Sequence, residues 1–167
     1  MKRIFVTGNV GSGKTTFCER LSQLLNIPVY HFDQIVWLPG WKRRPPEERE
    51  MMIQQLINKT EWIIEGVSAS ERLMEPADTI IFLDIPRLVC AWRTLKRIIR
   101  YRSKTRPDMA ADSPDYRNII LLLHTIWDFP RKHNPWVLAA LEKMNHDKHI
   151  VHIRSSEEMK AFLGTLN

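Results

Sequence analysis

Eight residues near the N-terminus constrain this chain more than any other feature. Gly8-Asn9-Val10-Gly11-Ser12-Gly13-Lys14-Thr15 satisfies the pattern G-x-x-x-x-G-K-[ST] in full. The apolar, β-branched run Lys2–Thr7 precedes it. Thr15–Leu25 follows, with Phe17, Leu21, Leu24 and Leu25 at helical spacing. Strand, glycine-rich turn and helix in that order form a cradle for phosphate. The glycines let backbone N–H groups converge on an anion, and the helix N-terminus adds partial positive charge behind them. Lys14 is placed to neutralise the β- and γ-phosphates of a nucleotide, and the Thr15 hydroxyl to take one position on Mg²⁺. Gly8, Asn9, Val10, Gly11, Ser12, Gly13, Lys14, Thr15 and Thr16 are therefore the expected nucleotide-binding residues. A glycine turn bearing an exposed lysine would satisfy the same pattern, but the flanking strand and helix favour phosphate.

The remaining sequence alternates strand and helix signals. Strands are expected at Pro28–Phe32, Trp62–Ile64, Thr79–Leu83 and His149–Ile153. A helix should start at Pro45-Pro46-Glu47-Glu48 and run to Asn58, with proline first and acids in its first turn. Pro86–Tyr101 reads as a long helix, and Pro114–Met144 as two more. Ser155 with Glu158 forms a capping box for a closing helix. Such alternation implies an α/β fold of three layers, a parallel five-stranded sheet covered by helices on both faces. Ligands of such sheets bind outside the carboxyl ends of the strands. At 167 residues, with no repeat, linker or low-complexity tract, the chain is expected to form one domain, 1–167.

Composition excludes several classes. Hydrophobic residues at 44% and charged residues at 26% describe a globular protein rather than a disordered one. The longest aliphatic run, Ile119–Leu123, cannot span a bilayer, and Met1–Val6 enters a strand directly. No membrane partner is expected. Cys18 and Cys90 show no metal or redox spacing, which fits a reducing cytoplasm. His149 and His152 fall on opposite faces of their strand, a poor arrangement for zinc. The charge is uneven. Lys and Arg number 25 against 19 acidic residues, and eight of the cations lie between Arg87 and Arg106, where there is no acid. Elsewhere 17 basic residues face 19 acidic ones. One segment carries the whole excess, and a polyanionic partner follows, either nucleotide or nucleic acid.

Three absences narrow the class further. There is no Asn-Lys-x-Asp segment for reading guanine, no length for a two-domain helicase, and no strand ending in paired acids. Met1–Thr16 resembles the adenylate-kinase-like group, as does Ile80–Pro86 followed by Arg93 and Arg97. Over nearly its whole length the chain resembles the FlaR-related, "DNA topology modulation" family of small phosphate-loop kinases. The resemblance rests on His31-Phe32-Asp33-Gln34-Ile35-Val36-Trp37, Pro39-Gly40-Trp41, Trp62–Gly66, Ala77–Asp84 and Lys104–Met109.

That resemblance implies a three-layer P-loop NTPase fold with a small lid at about residues 93–115, binding ATP and Mg²⁺. It implies phosphoryl transfer to a small-molecule acceptor, which the residues do not name. Glu65 would be the Walker-B-like acid that, with Thr15, arranges the metal. The family more often has aspartate there, with asparagine and tyrosine shortly after; this chain has Glu65, Val67 and Ser68. Arg93 and Arg97 would contact the transferring phosphoryl group, with Arg100 and Arg106 in the lid. Asp33, read as ending the second strand, would accept the acceptor's proton, or else cap a turn. Trp37 and Trp41 would stack on the acceptor, or else cover the sheet edge. Asp84 reads as a cap for the Pro86 helix. On a helical wheel Leu88, Trp92, Leu95 and Ile99 form a stripe that should anchor that helix, turning Arg93, Arg97, Arg100 and Lys104 outward. The alternative function is an ATP-binding regulatory protein associated with DNA topology; a monomer and a dimer are both compatible with the sequence.

Overall fold

A computed structural model describes residues 1–67, 71–101, 119–144 and 146–166. Five parallel strands build the central sheet: β1 (Arg3–Gly8), β2 (Val29–His31), β5 (Trp62–Gly66), β6 (Thr79–Leu83) and β7 (His149–Ile153). Their spatial order is β2-β5-β1-β6-β7, so the chain reverses direction across the sheet at β1. Two short strands, β3 (Trp37–Leu38) and β4 (Lys42–Arg43), pair separately as an antiparallel hairpin. Among the described residues the helices are α1 (Lys14–Leu25), α2 (Phe32–Val36), α3 (Pro46–Ile57), α4 (Glu71–Met74), α5 (Arg87–Tyr101), α6 (Ile119–Lys132), α7 (Asn134–Met144) and α8 (Ser156–Gly164).

Strand alternation divides the core in two. Ile4, Val6, Ile63, Ile81 and Leu83 face one side, where Phe17 and Leu21 of α1, Ile126 of α6 and Leu163 of α8 cover them. Phe5, Trp62, Ile64, Ile80 and Phe82 face the other, against Ile53 and Leu56 of α3, Met74 of α4 and Val137 of α7. All of β5 and β6 is buried, as a parallel sheet with helices on both faces requires. The start of β1 is fastened by Asp78, whose Oδ2 accepts from the Lys2 and Arg3 amides at 2.8 and 2.9 Å.

The expected three-layer fold with its five parallel strands is what the chain adopts. Two local expectations are corrected. The second strand ends at His31, and Asp33 lies in the first turn of α2 rather than at a strand end. The Asp84 carboxylate does not cap α5. Its Oδ1 accepts from Asn134 Nδ2 at 2.9 Å and its Oδ2 lies 3.1 Å from His152 Nε2, joining β6 to α7 and β7.

Candidate active site

The carboxyl ends of β1, β2 and β5 open into a cavity of about 540 Å³. The loop between β1 and α1 forms its floor. Gly13 sits in the left-handed region at φ 98°, which lets the chain turn directly into α1. Gly11, at φ 75°, touches α5: a Cβ there would collide with the Cys90 carbonyl and lie 2.5 Å from Thr94 Oγ1. Asn9 anchors the loop from behind, its Nδ2 donating to the Ile126 carbonyl of α6 at 3.0 Å. Lys14 is buried, and its ammonium donates to the carbonyls of Gly8 at 3.0 Å and Asn9 at 2.9 Å. Burial lowers the Lys14 pKa from its ordinary value, opposed by the charges of Glu65 and Asp33.

Glu65 closes the inner wall. It is 6% exposed, deep between β1 and β2, and one of its oxygens collects two hydrogen bonds. Thr15 Oγ1 donates to Glu65 Oε1 at 2.8 Å. His31 Nδ1 lies 2.7 Å from the same oxygen, and because a carboxylate only accepts, the ring N–H is the donor. Burial alone would push the Glu65 carboxyl up. The His31 hydrogen bond, the Lys14 charge and the Thr15 hydroxyl outweigh it and hold the group below the usual carboxylate range. His31 carries no motif of its own. It reaches Glu65 because β2 and β5 pair in register, His31 opposite Glu65, a fact of the sheet rather than of the sequence pattern.

The helix α5 supplies the third wall, and here the wheel reading is corrected. Leu88, Trp92, Leu95 and Ile99 do not anchor α5; they face solvent. The buried face is Cys90 and Thr94, small enough to let the loop at Gly11 approach. Arg93 and Arg97 consequently turn inward and line the cavity. Arg93 donates from one guanidinium nitrogen to the Ser12 carbonyl at 2.9 Å and from the other to Ser156 Oγ at 2.8 Å, tying the loop to the start of α8. Arg100 is exposed and does not line the cavity. Arg106, Lys104, Ser68 and most of the segment 93–115 lie outside the described residues.

The fourth wall combines α2 with the β3–β4 hairpin. Asp33, Trp37 and Trp41 all line the cavity. The two indoles meet edge to face with centroids 5.3 Å apart, and Arg43 lies over Trp37 at 5.9 Å. Trp41 has φ 61°, an uncommon backbone state for a bulky side chain, held by the hairpin closing around Gly40. The hairpin was not foreseen, since two-residue strands carry no periodic signal.

The donor set therefore offers loop amides and three cations to an anion, beside hard oxygens from Thr15 and Glu65 that suit a small divalent cation such as Mg²⁺. Among the described residues no three His, Cys, Asp or Glu side chains group as a self-sufficient metal centre. A metal here would need oxygens from the bound nucleotide to complete its shell, the usual habit of Mg²⁺. Gly8, Asn9 and Ser12 lie behind the loop surface, whereas Val10, Gly11, Gly13, Lys14, Thr15 and Thr16 line the cavity.

A family model for an AAA domain matches residues 4–109, the stretch from β1 through α5 and into the residues beyond it. The chain belongs to the AAA-domain family. No protein of curated function matches this AAA-domain chain in sequence. Solved structures resemble it in fold at low identity. Shikimate kinase from Acinetobacter baumannii, in complex with shikimate, superposes with a TM-score of 0.62 at 14% identity, covering 99% of this chain and 90% of that one. Shikimate kinase from Bacteroides thetaiotaomicron gives 0.52 at 18% identity, with coverage of 99% and 96%. A sugar kinase from Janibacter sp. HTCC2649 gives 0.53 at 16% identity, with coverage of 99% and 94%. The AAA-domain chain thus has a P-loop, kinase-like α/β fold. No helix among the described residues is long and apolar enough to cross a membrane.

Proposed function

We propose that the chain is an ATP-dependent kinase that transfers the γ-phosphoryl group to a hydroxyl of a small molecule. One observation carries this reading: the glycine loop with Lys14, the Thr15–Glu65 pair, two arginines of α5, and Asp33 with two tryptophans all border one cavity. Phosphoryl transfer asks for positioning and charge neutralisation more than covalent chemistry, and this set offers both. The loop amides and Lys14 would hold the β- and γ-phosphates, two of the ammonium's three protons being engaged by loop carbonyls. Thr15 and Glu65 would face the metal, with His31 and Thr15 holding the carboxylate in one orientation. Magnesium, when bound with the nucleotide, supplies neutralisation of the phosphate oxygens.

Arg93 and Arg97 would stabilise charge on the transferring group, and Arg100 and Arg106 would belong to a lid that excludes water. Asp33 would take the acceptor's proton, with Trp37 and Trp41 forming the wall against which the acceptor rests. The chain would act as one domain, in the cytoplasm. Kinship with the FlaR-related kinases is part of this proposal. The rival role, a DNA-associated ATP switch, leans on the basic segment 87–106; among the described residues of that segment Arg93 and Arg97 border the cavity, which weighs against a continuous outward stripe.

The Lys14→Ala chain should melt at nearly the wild-type temperature and bind an ATP analogue at least about 100-fold more weakly, as isothermal calorimetry would read. Unchanged affinity would defeat the assignment. A screen of nucleoside monophosphates, nucleosides and sugars for ADP release, run beside DNA binding at two salt concentrations, separates kinase from switch. Turnover with one acceptor supports the kinase; salt-sensitive DNA binding without any turnover supports its rival.

A further inference from the structure

The acceptor end of the cavity has a chemistry of its own. The indoles of Trp37 and Trp41 stand at 69° to each other and make a corner, not a pair of parallel plates, and the Asp33 carboxylate borders the same cavity. The charge of Asp33 acts on the Lys14 ammonium, which puts the carboxylate within electrostatic reach of the phosphate loop. Val67, just after β5, and Leu121 and Leu122 of α6 add apolar lining.

Cations lie next to this corner in the sequence but are turned to other uses. Lys42, Arg43 and Arg44 follow Trp41 directly, and none of the three lines the cavity. Arg44 Nε donates to the Ile35 carbonyl at 2.9 Å, and its guanidinium lies 3.5 Å from Glu48, which braces the hairpin against α2 and α3. Arg43 is exposed and lies over Trp37. Among the described residues, the cations that do line the cavity sit with the phosphate loop. Lys14 holds the carbonyls of Gly8 and Asn9, Arg93 holds the Ser12 carbonyl and Ser156, and Arg97 follows one turn later on α5. Asp33 is thus the charged group that α2 and the hairpin present to an acceptor.

An acceptor bearing a phosphate or a carboxylate would set that charge near Asp33 and the negative faces of two indoles, with no cation of these elements lining the cavity beside it. An uncharged ring bearing hydroxyls meets the opposite circumstances. One hydroxyl donates to Asp33, and the polarised C–H bonds of the ring's flat side rest on an indole face. We propose that the acceptor is a neutral polyhydroxylated ring, a sugar or cyclic polyol, held by Trp37, Trp41 and Asp33. This deepens the kinase reading and rests on it. The acceptor hydroxyl oxygen forms a bond to the γ-phosphorus of ATP as the bond from that phosphorus to the β–γ bridging oxygen breaks. The hydroxyl proton passes to Asp33, and a phosphate monoester and ADP leave.

The test gives the full chain, with ATP and Mg²⁺, a panel of neutral aldoses, ketoses and cyclic polyols beside four charged probes: glucuronate, shikimate, glucosamine and adenosine monophosphate. ADP release should appear with a neutral probe, at a kcat/KM at least about tenfold above every charged one. Saturation-transfer NMR in the presence of an unreactive ATP analogue should show that probe's ring protons against the protein. Trp37→Ala should raise its KM at least about tenfold while kcat falls by less than about threefold, and Trp37→Phe should recover most of that KM, with thermal melting checking the fold of both. Preferred turnover of glucuronate, shikimate or adenosine monophosphate overturns the proposal. So does a preference for glucosamine, which would make Asp33 the partner of an ammonium, or the absence of both turnover and ring-proton signal across the neutral panel. Calorimetry of the ATP analogue tells the failures apart: if it binds, only the acceptor class falls, and if it does not, the kinase reading falls with it.

Discussion

Gly11 has two reasons to lack a side chain, and they are independent. Its φ of 75° disfavours any L residue, and its Cα faces the Cys90 carbonyl and the Thr94 hydroxyl of α5. Gly11→Ala should therefore combine backbone strain with overpacking and lose about 3 kcal/mol, seen as a lower urea midpoint at unchanged slope. A loss under about 1 kcal/mol would mean that α5 yields easily, and the tight loop–helix contact would then not fix the inward turn of Arg93 and Arg97. The same contact explains why the stripe of α5 was misread. A helical wheel assumes that the bulkiest apolar face packs inward. Here the neighbour is a glycine loop at close range, and only Cys90 and Thr94 fit beneath it.

At the level of elements, the closing helix shows how local chemistry and tertiary placement divide the labour. Ser155 Oγ accepts from the Glu158 amide at 3.1 Å, while Glu158 Oε2 accepts from the Arg154 amide at 2.7 Å, one residue further back than a standard capping box. The serine and glutamate spacing announced this helix start. Nothing in it announced that Ser156, one residue on, would hold the Arg93 guanidinium. Ser155→Ala should cost about 1 kcal/mol of stability by thermal melting, with the helix content of the folded state preserved. A shift within error would mean that the Ser156–Arg93 bond and the packing of Met159 and Leu163 alone hold α8 in place. The strands were legible for a simpler reason. Runs such as Trp62–Ile64 and Ile80–Leu83 are apolar without a break, and a sheet covered on both faces leaves such runs no other home. The β3–β4 hairpin, two residues to a strand, offers no comparable pattern.

Across the whole molecule, acid should be destabilising in a defined window. Glu65 and Asp78 both have carboxyls held below their ordinary range in the fold. Burial opposes this in each, and is outweighed at Glu65 by His31, Lys14 and Thr15, and at Asp78 by the Arg3 amide, the Thr79 hydroxyl and the Lys2 amide. A lowered folded pKa contributes stability that is fully present above the unfolded value and vanishes as pH falls through the folded one. The melting temperature should thus hold near neutrality and decline from about pH 5 toward pH 3, more shallowly in Asp78→Asn than in the wild type. Parallel pH profiles for the two chains would remove Asp78 from that account.

By itself, the sequence determined the phosphate loop, the order of the five sheet strands and of the longer helices, and the three-layer sheet, because each is written in local periodicity, in glycine and in capping residues that act over a few positions. Tertiary structure alone decided which partners meet. Strand pairing put His31 on Glu65, the close approach of Gly11 turned Arg93 and Arg97 inward, and the hairpin forced Trp41 into a left-handed backbone beside Trp37. Those contacts join residues far apart along the chain. Their geometry depends on how whole elements pack, which no window of neighbouring residues encodes.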